Sequence, residues 1–167
     1  ALDPDPQNIN HIKNEIGIKT IQGDFLKVKI PNKYNLITFN KVIEHIKDIQ
    51  SALKNISNLL KPDGVLYMTT PNGDYIKNEP PNYNPDHFKH YGKKELFEIL
   101  KTHFSDVKVN YGVKMGKHWI NSGRSWSLKH PLRLVYTFYS SIINQIESKG
   151  MEDISHRTAH LFVVAGL

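Results

Sequence analysis

The stretch FNKVIEHIKD, residues 39–48, sets an Asn, a Lys, a Glu and a His directly behind the apolar run NLITF. Imidazole is the side chain whose ordinary pKa lies nearest neutrality, so His45 can take a proton from a hydroxyl at physiological pH while the neighbouring Glu44 orients it. A second imidazole, His87 in NPDHFKHYG, sits in a long connection that can close over the same place. The same residues also have purely structural uses: Glu44 can cap the helix that starts near 48, His45 can pack on a sheet edge, and His87 can anchor its loop. The residue types alone leave both readings open.

The elements that must position these groups can be read from periodicity. In QNINHIKNEIG, Ile9, Ile12 and Ile16 fall at helical spacing and Gly17 marks the stop. IKTIQ (18–22) and YNLITF (34–39) are β-branched and aromatic runs separated by Gly, Pro and Asn, and predict strands. DIQSALKNISNLLKPDG places Ile49, Ala52, Leu53, Ile56, Leu59 and Leu60 on one helix face, with Asp48 as N-cap and KPDG as the end; VLYMTT (65–70) follows as a buried strand. Strands alternating with helices predict an α/β domain whose parallel sheet is covered on both faces. A long connection at 72–92 precedes a helix in KKELFEILKTHF, a strand in DVKVN and a last strand in AHLFVVAGL. Between the last two, apolar side chains at 128, 132, 135, 139, 142, 143 and 146 give a helical stripe in a 112–157 insertion, expected to pack on its own domain as a lid.

Composition narrows the function classes. At 167 residues the chain is expected to hold one domain, or most of one. Zero Cys excludes a disulfide framework, a thiolate nucleophile and a Cys-based zinc site, and fits a reducing compartment; with no secretory leader visible at ALDPDPQNI, a cytoplasmic location is expected. The net charge of +6 rests on 19 Lys against 3 Arg, scattered along the chain, which argues for a solvated surface rather than a nucleic-acid stripe. The helical stripe is too short and polar for a membrane span.

In open α/β sheets, ligands sit at the carboxyl ends of parallel strands. Asp3, in LDPDP, stands where a strand gives way to a helix, and a carboxylate there can accept both hydroxyls of a ribose. Gly23, Asp24 and Phe25 follow the next strand, with Asp24 available to an exocyclic adenine amine and Phe25 as an apolar wall. Asn40 opens the third such site and TTPN the fourth. Each Asp alone is more commonly a cap or turn residue; the order of the four is the stronger signal.

In that order, Asp3, GDF, NKVIEHIKD, LKPDGVLYMTTPN and DHFKHYGKKEL resemble a class I S-adenosylmethionine-dependent methyltransferase of the small-molecule and glycan branch, over 1–110 and 158–167. The resemblance implies a Rossmann-like, mostly parallel sheet with an antiparallel last strand. It implies S-adenosylmethionine as cofactor, with Asp3 and the adjacent Pro4 at the ribose, Gly23, Asp24 and Phe25 at the adenine, and Asn40 near the methionyl end. It also implies that Glu44, His45 and His87 face a small-molecule or glycan acceptor. Such families carry a first strand and a Gly-rich loop upstream of the ribose acid, so an N-terminally truncated sheet is expected.

Ubiquinone-biosynthesis O-methyltransferases and small-RNA 2′-O-methyltransferases are similar around residue 44, with Glu-x-x-Glu-His and, in the RNA enzymes, a later His on a divalent ion. Here Lys41 replaces the first Glu, and no metal is expected, since such sites use carboxylates and neutral imidazoles. Three further expectations complete the reading: a possible homodimer through 112–157, and, as rivals, a catalytically inactive methyltransferase-fold partner module and an RNA methyltransferase.

Overall fold

In the computed structural model, which describes residues 1–80, 83–112, 130–148 and 160–167, the chain opens with β1 (Leu2–Asp3) paired in parallel with β2 (Ile21–Gln22). Between them lies α1 (Pro6–His11). Pro6 occupies a first-turn position where no N–H is required, and the Asp5 carboxylate accepts the Gln7 N–H at 2.8 Å. A π-helical turn, Ile12–Ile16, extends α1 until Gly17 turns left-handed at φ 72°. The strand expected over 18–22 is confined to Ile21–Gln22, and of the three predicted helix-face Ile residues only Ile9 is buried.

A second sheet holds β3 (Tyr34–Asn40), β4 (Leu60–Pro71), β5 (Asp106–Tyr111) and β6 (His160–Gly166), in the order β3-β4-β6-β5. β3 and β4 are parallel, and β6 is antiparallel to both its neighbours, so β3, β4 and β5 share one direction and only the last strand is reversed. This is the α/β arrangement expected from the sequence. Among the described residues, α2 (Ile49–Leu59) and α3 (Lys93–Lys101) pack with this sheet, and α4 (Arg133–Ser148) follows β5 in the chain. Asp48 caps α2, accepting the Ser51 N–H at 3.0 Å. The KPDG segment is not a free turn: β4 already pairs at Leu60 with Tyr34, and the ladder then jumps to Leu36 opposite Val65.

The core lies on one face of this sheet. Leu66 and Met68 of β4, Leu161, Val163 and Ala165 of β6, and Val107 and Val109 of β5 alternate inward, and Leu53 and Ile56 of α2 with Leu96 and Leu100 of α3 join the same cluster. Burying one such Leu or Ile contributes about 1.5–3 kcal/mol. On the other face, Val65, Tyr67 and Thr69 are half-buried and Val164 is exposed. Coverage of both faces, expected from the strand patterns, is therefore met on one face among the described residues. Among the described residues of the predicted stripe, Leu132, just before α4, and Val135, Tyr139 and Ile142 within it are exposed.

The direction of the strands is what builds the site. Asn40, Pro71 and Tyr111 end β3, β4 and β5, and register pairs Asn40 with Thr69 and Pro71 with His160. Their carboxyl ends and the start of β6 therefore share one sheet edge, and the 72–92 connection leaves from it.

Candidate active site

At that edge β3 stops at Lys41, a non-glycine residue held at φ 55°, where an L side chain costs about 1–2 kcal/mol. Its N–H is retained by the Thr69 carbonyl at 2.8 Å. The reversal aims the next residues beneath the strand ends, where Ile43–His45 form a 3-10 turn. Ile43 and Glu44 are buried and His45 is exposed. Glu44 does not cap α2, a task Asp48 performs; instead its Oε2 accepts the Thr70 hydroxyl at 3.0 Å from the neighbouring strand.

The 72–92 connection is fastened over this turn by its own polar residues. The Glu44 carbonyl accepts the Phe88 N–H at 2.8 Å. Asn78 clamps the loop, donating to the carbonyls of Asn84 at 3.1 Å and His87 at 2.8 Å and accepting the Asn84 N–H at 2.8 Å. Asn72 forms a bridge with Tyr91, and a Cβ on Gly73 would stand 2.3 Å from the His90 carbonyl oxygen, so only glycine lets these strands of loop approach.

The closure brings the three predicted catalytic residues together. The His45 and His87 rings meet edge-on, 4.6 Å between centroids at 87°, and one ligating atom each of Glu44, His45 and His87 lies within 4.8 Å of the others. The His45 Nδ1 is 3.0 Å from the Asp86 carbonyl, which can only accept, so Nδ1 carries a proton and in the neutral ring Nε2 keeps its lone pair. Burial, reinforced by the neighbouring His45 and His90 rings and opposed by the Glu44 carboxylate, pushes the His87 pKa below its ordinary value.

A carboxylate and two neutral imidazoles are donors that a divalent transition ion accepts, so this cluster fits a metal by chemistry and spacing. The expectation of no metal rested on Lys41 standing in a ligand's place. In the structure its ammonium lies 2.9 Å from His160 Nδ1 on β6, while its charge still acts on Glu44 and His87. Desolvation lowers the Lys41 pKa, with the Glu44 carboxylate opposing.

The predicted cofactor residues follow the strand ends in order. Asp3 accepts the Asp5 N–H at 2.8 Å and the Asn8 amide at 3.3 Å, both on Oδ1. Pro4 is exposed beside it, and the Gly23 N–H reaches the Asp3 carbonyl at 3.1 Å. Asp24 is a turn residue, taking the Leu26 N–H at 2.9 Å and pairing with Lys27 at 3.2 Å; the backbone hydrogen bond first, then Lys27, lowers its pKa. Phe25 packs at 5.3 Å from Phe39 of β3, and Asn40 accepts the Thr69 hydroxyl at 3.3 Å. The β1–β2 pair shares no ladder with β3 among the described residues. Of the 112–157 insertion, 113–129 and 149–157 lie outside the described residues, Trp119 and Trp126 among them, and the expected homodimer through the insertion falls largely on them. Sequence reasoning passed over Thr70, Asn78 and His90; the HFKH spacing of His87 and His90 was the one available signal.

A family model described as a methyltransferase domain matches residues 1–154. The chain belongs to this methyltransferase family. A ubiquinone biosynthesis O-methyltransferase from Rickettsia typhi is 23% identical over 153 residues, covering 81% of this chain and 61% of that protein. The chain thus spans about three fifths of the length of this curated relative. Among solved structures, a SAM-dependent methyltransferase from Archaeoglobus fulgidus superposes with a TM-score of 0.65 at 17% identity, covering 98% of this chain and 73% of that one. A plantazolicin methyltransferase solved with SAH superposes with a TM-score of 0.58 at 15% identity, covering 98% and 65%. At these identities the structural likeness is one of methyltransferase fold.

Proposed function

We propose that the protein transfers the methyl group of S-adenosylmethionine to an O or N nucleophile of a small-molecule or glycan acceptor. The observation that carries this reading is the convergence of Glu44, His45 and His87 at the carboxyl edge of a methyltransferase-family sheet. The cofactor supplies a methyl already activated on a sulfonium, so the protein's task is to hold the nucleophile in line and manage one proton. Asp3, through Oδ2, with Pro4 and Gly23 beside it, would meet the ribose hydroxyls; Asp24 and Phe25 would flank the adenine and Asn40 the methionyl end. His45 Nε2 takes the acceptor's proton as its oxygen or nitrogen gains the methyl. Glu44, fixed by Thr70, and His87 border the acceptor.

The test is transfer of labelled methyl by the full-length protein to phenolic and glycan acceptors, alongside calorimetry with S-adenosylhomocysteine. Transfer that depends on His45 supports the reading, whereas tight cofactor binding with no transfer to any acceptor points to an inactive partner module.

The 4.8 Å spacing of the cluster favours a second reading, in which Glu44, His45 and His87 hold a divalent ion that polarises the acceptor oxygen. Chelation separates the two. Proton transfer to His45 alone predicts unchanged kcat after dialysis against chelator, and the metal reading predicts loss restored by added divalent ion.

A further inference from the structure

Behind the three clustered residues stands a fourth, His90, to which none of the roles above belongs. Its Nδ1 lies 2.7 Å from the Ile76 carbonyl, and its Nε2 lies 2.7 Å from His87 Nδ1. A carbonyl oxygen accepts only, so His90 must carry its proton on Nδ1. In the neutral ring Nε2 is then an acceptor, and the hydrogen bond from His87 requires the proton on His87 Nδ1. His87 is left with a bare Nε2.

We propose that His90 is a positioning residue: anchored on the Ile76 carbonyl, it locks His87 in the Nδ1–H tautomer and keeps the Nε2 lone pair available to the cluster with Glu44 and His45. Free imidazole side chains favour no such arrangement by themselves, and the tautomer is fixed by what the other nitrogen bonds. The placement is built into the loop. The Asn78 clamp holds the His87 carbonyl at 2.8 Å, the Gly73 contact seats the His90 backbone, and the two rings lie 5.0 Å apart at 57°. The tautomer follows from these hydrogen bonds alone; its use in methyl transfer rests on the reading proposed above.

Nitrogen NMR of the full-length protein with ¹⁵N-labelled histidine tests the two separately. The His87 resonances are assigned by their loss in His87→Gln. In the wild type, His87 Nδ1 is expected to be protonated and Nε2 bare. His90→Leu removes the acceptor and releases His87 to the Nε2–H form, while His90→Gln, whose side-chain carbonyl can take the same N–H, retains the wild-type pattern. In the methyl-transfer assay His90→Leu is expected to lower kcat roughly 10–100-fold, as for residues that orient a functional imidazole, with S-adenosylhomocysteine affinity unchanged and partial recovery in His90→Gln. A wild-type His87 protonated on Nε2 would overturn the assignment even if His90→Leu failed to fold. An unchanged His87 pattern in folded His90→Leu would overturn it too. Failure to detect methyl transfer leaves the NMR outcome standing and counts against the proposed function instead.

Discussion

His45 and Glu44 are adjacent in the chain but stand in different environments, and their substitutions should separate accordingly. His45 is exposed with its Nδ1 on the Asp86 carbonyl, so His45→Ala removes a proton acceptor and little packing. The expected result is a fall in kcat of roughly 10²–10⁴ with cofactor affinity and melting temperature nearly intact, measured on one preparation. Glu44 is buried against the Thr70 hydroxyl, and Thr70→Val, which strips that carboxylate of its partner, should cost about 1–3 kcal/mol in denaturant unfolding. His87 adds a pH signature. Its folded pKa lies below the ordinary 6.5, so the unfolded chain takes up the proton first as pH falls. Between 6.5 and the depressed folded value the unfolded state binds more protons, and stability is lost across that window and levels off below it. Melting temperatures from about pH 7.5 to about pH 5 should therefore decline less in His87→Gln than in the wild type, since the substituted residue does not titrate.

At the scale of elements, the 72–92 connection behaves as part of the site because it is hydrogen-bonded into one conformation. Asn78 makes three of those bonds, each worth about 0.5–1.5 kcal/mol net. Asn78→Ala should therefore loosen the loop before it unfolds the sheet. Hydrogen exchange is the measurement: amides of 84–90 are expected to lose protection while those of β4 and β6 keep theirs, and equal loss in both would mean that the loop and core open together. The short β2, two residues where five were expected, shows the opposite case. IKTIQ has the β-branched composition of a strand, but only Ile21 and Gln22 find ladder partners, in β1.

For the whole molecule, the decisive feature is that residues far apart in the chain end on one edge of the β3-β4-β6-β5 sheet. Asp3 lies in the separate β1–β2 pair, at the end of β1, and takes both its observed hydrogen bonds on Oδ1, so Oδ2 is the oxygen that would meet a ribose hydroxyl. Asp3→Ala should weaken S-adenosylhomocysteine binding to the full-length protein by about tenfold or more, since hydrogen bonds to a charged acceptor contribute about 1.5–3 kcal/mol each. Isothermal calorimetry with unchanged affinity would remove Asp3 from the cofactor site. The open face of α4, with Leu134 and Phe138 exposed beside the predicted stripe, belongs to the same scale: its side chains satisfy helical periodicity without a covering element among the described residues.

The sequence by itself determined what local physics controls. Alternation and helical spacing located β3, β4, α2, α3 and β6, Asp48 announced its cap, and the order of residues at the strand ends pointed to the methyltransferase family. It also singled out Glu44, His45 and His87, because an imidazole beside an acid after a strand is chemically conspicuous. Contacts across the sheet were decided only by tertiary structure. Lys41 stands in sequence at a ligand's place, but only the fold brings His160 of β6 within 2.9 Å of its ammonium while its charge still bears on Glu44 and His87. Glu44 looked exposed enough to cap a helix, yet the left-handed turn at Lys41 tucks it under the strand ends onto Thr70. The His87 tautomer depends on His90, which in turn depends on a carbonyl fourteen residues away along a folded-back loop. Periodicity reports which side of its own element a residue faces; which partner stands opposite is set by strand order and loop closure, which no local pattern encodes.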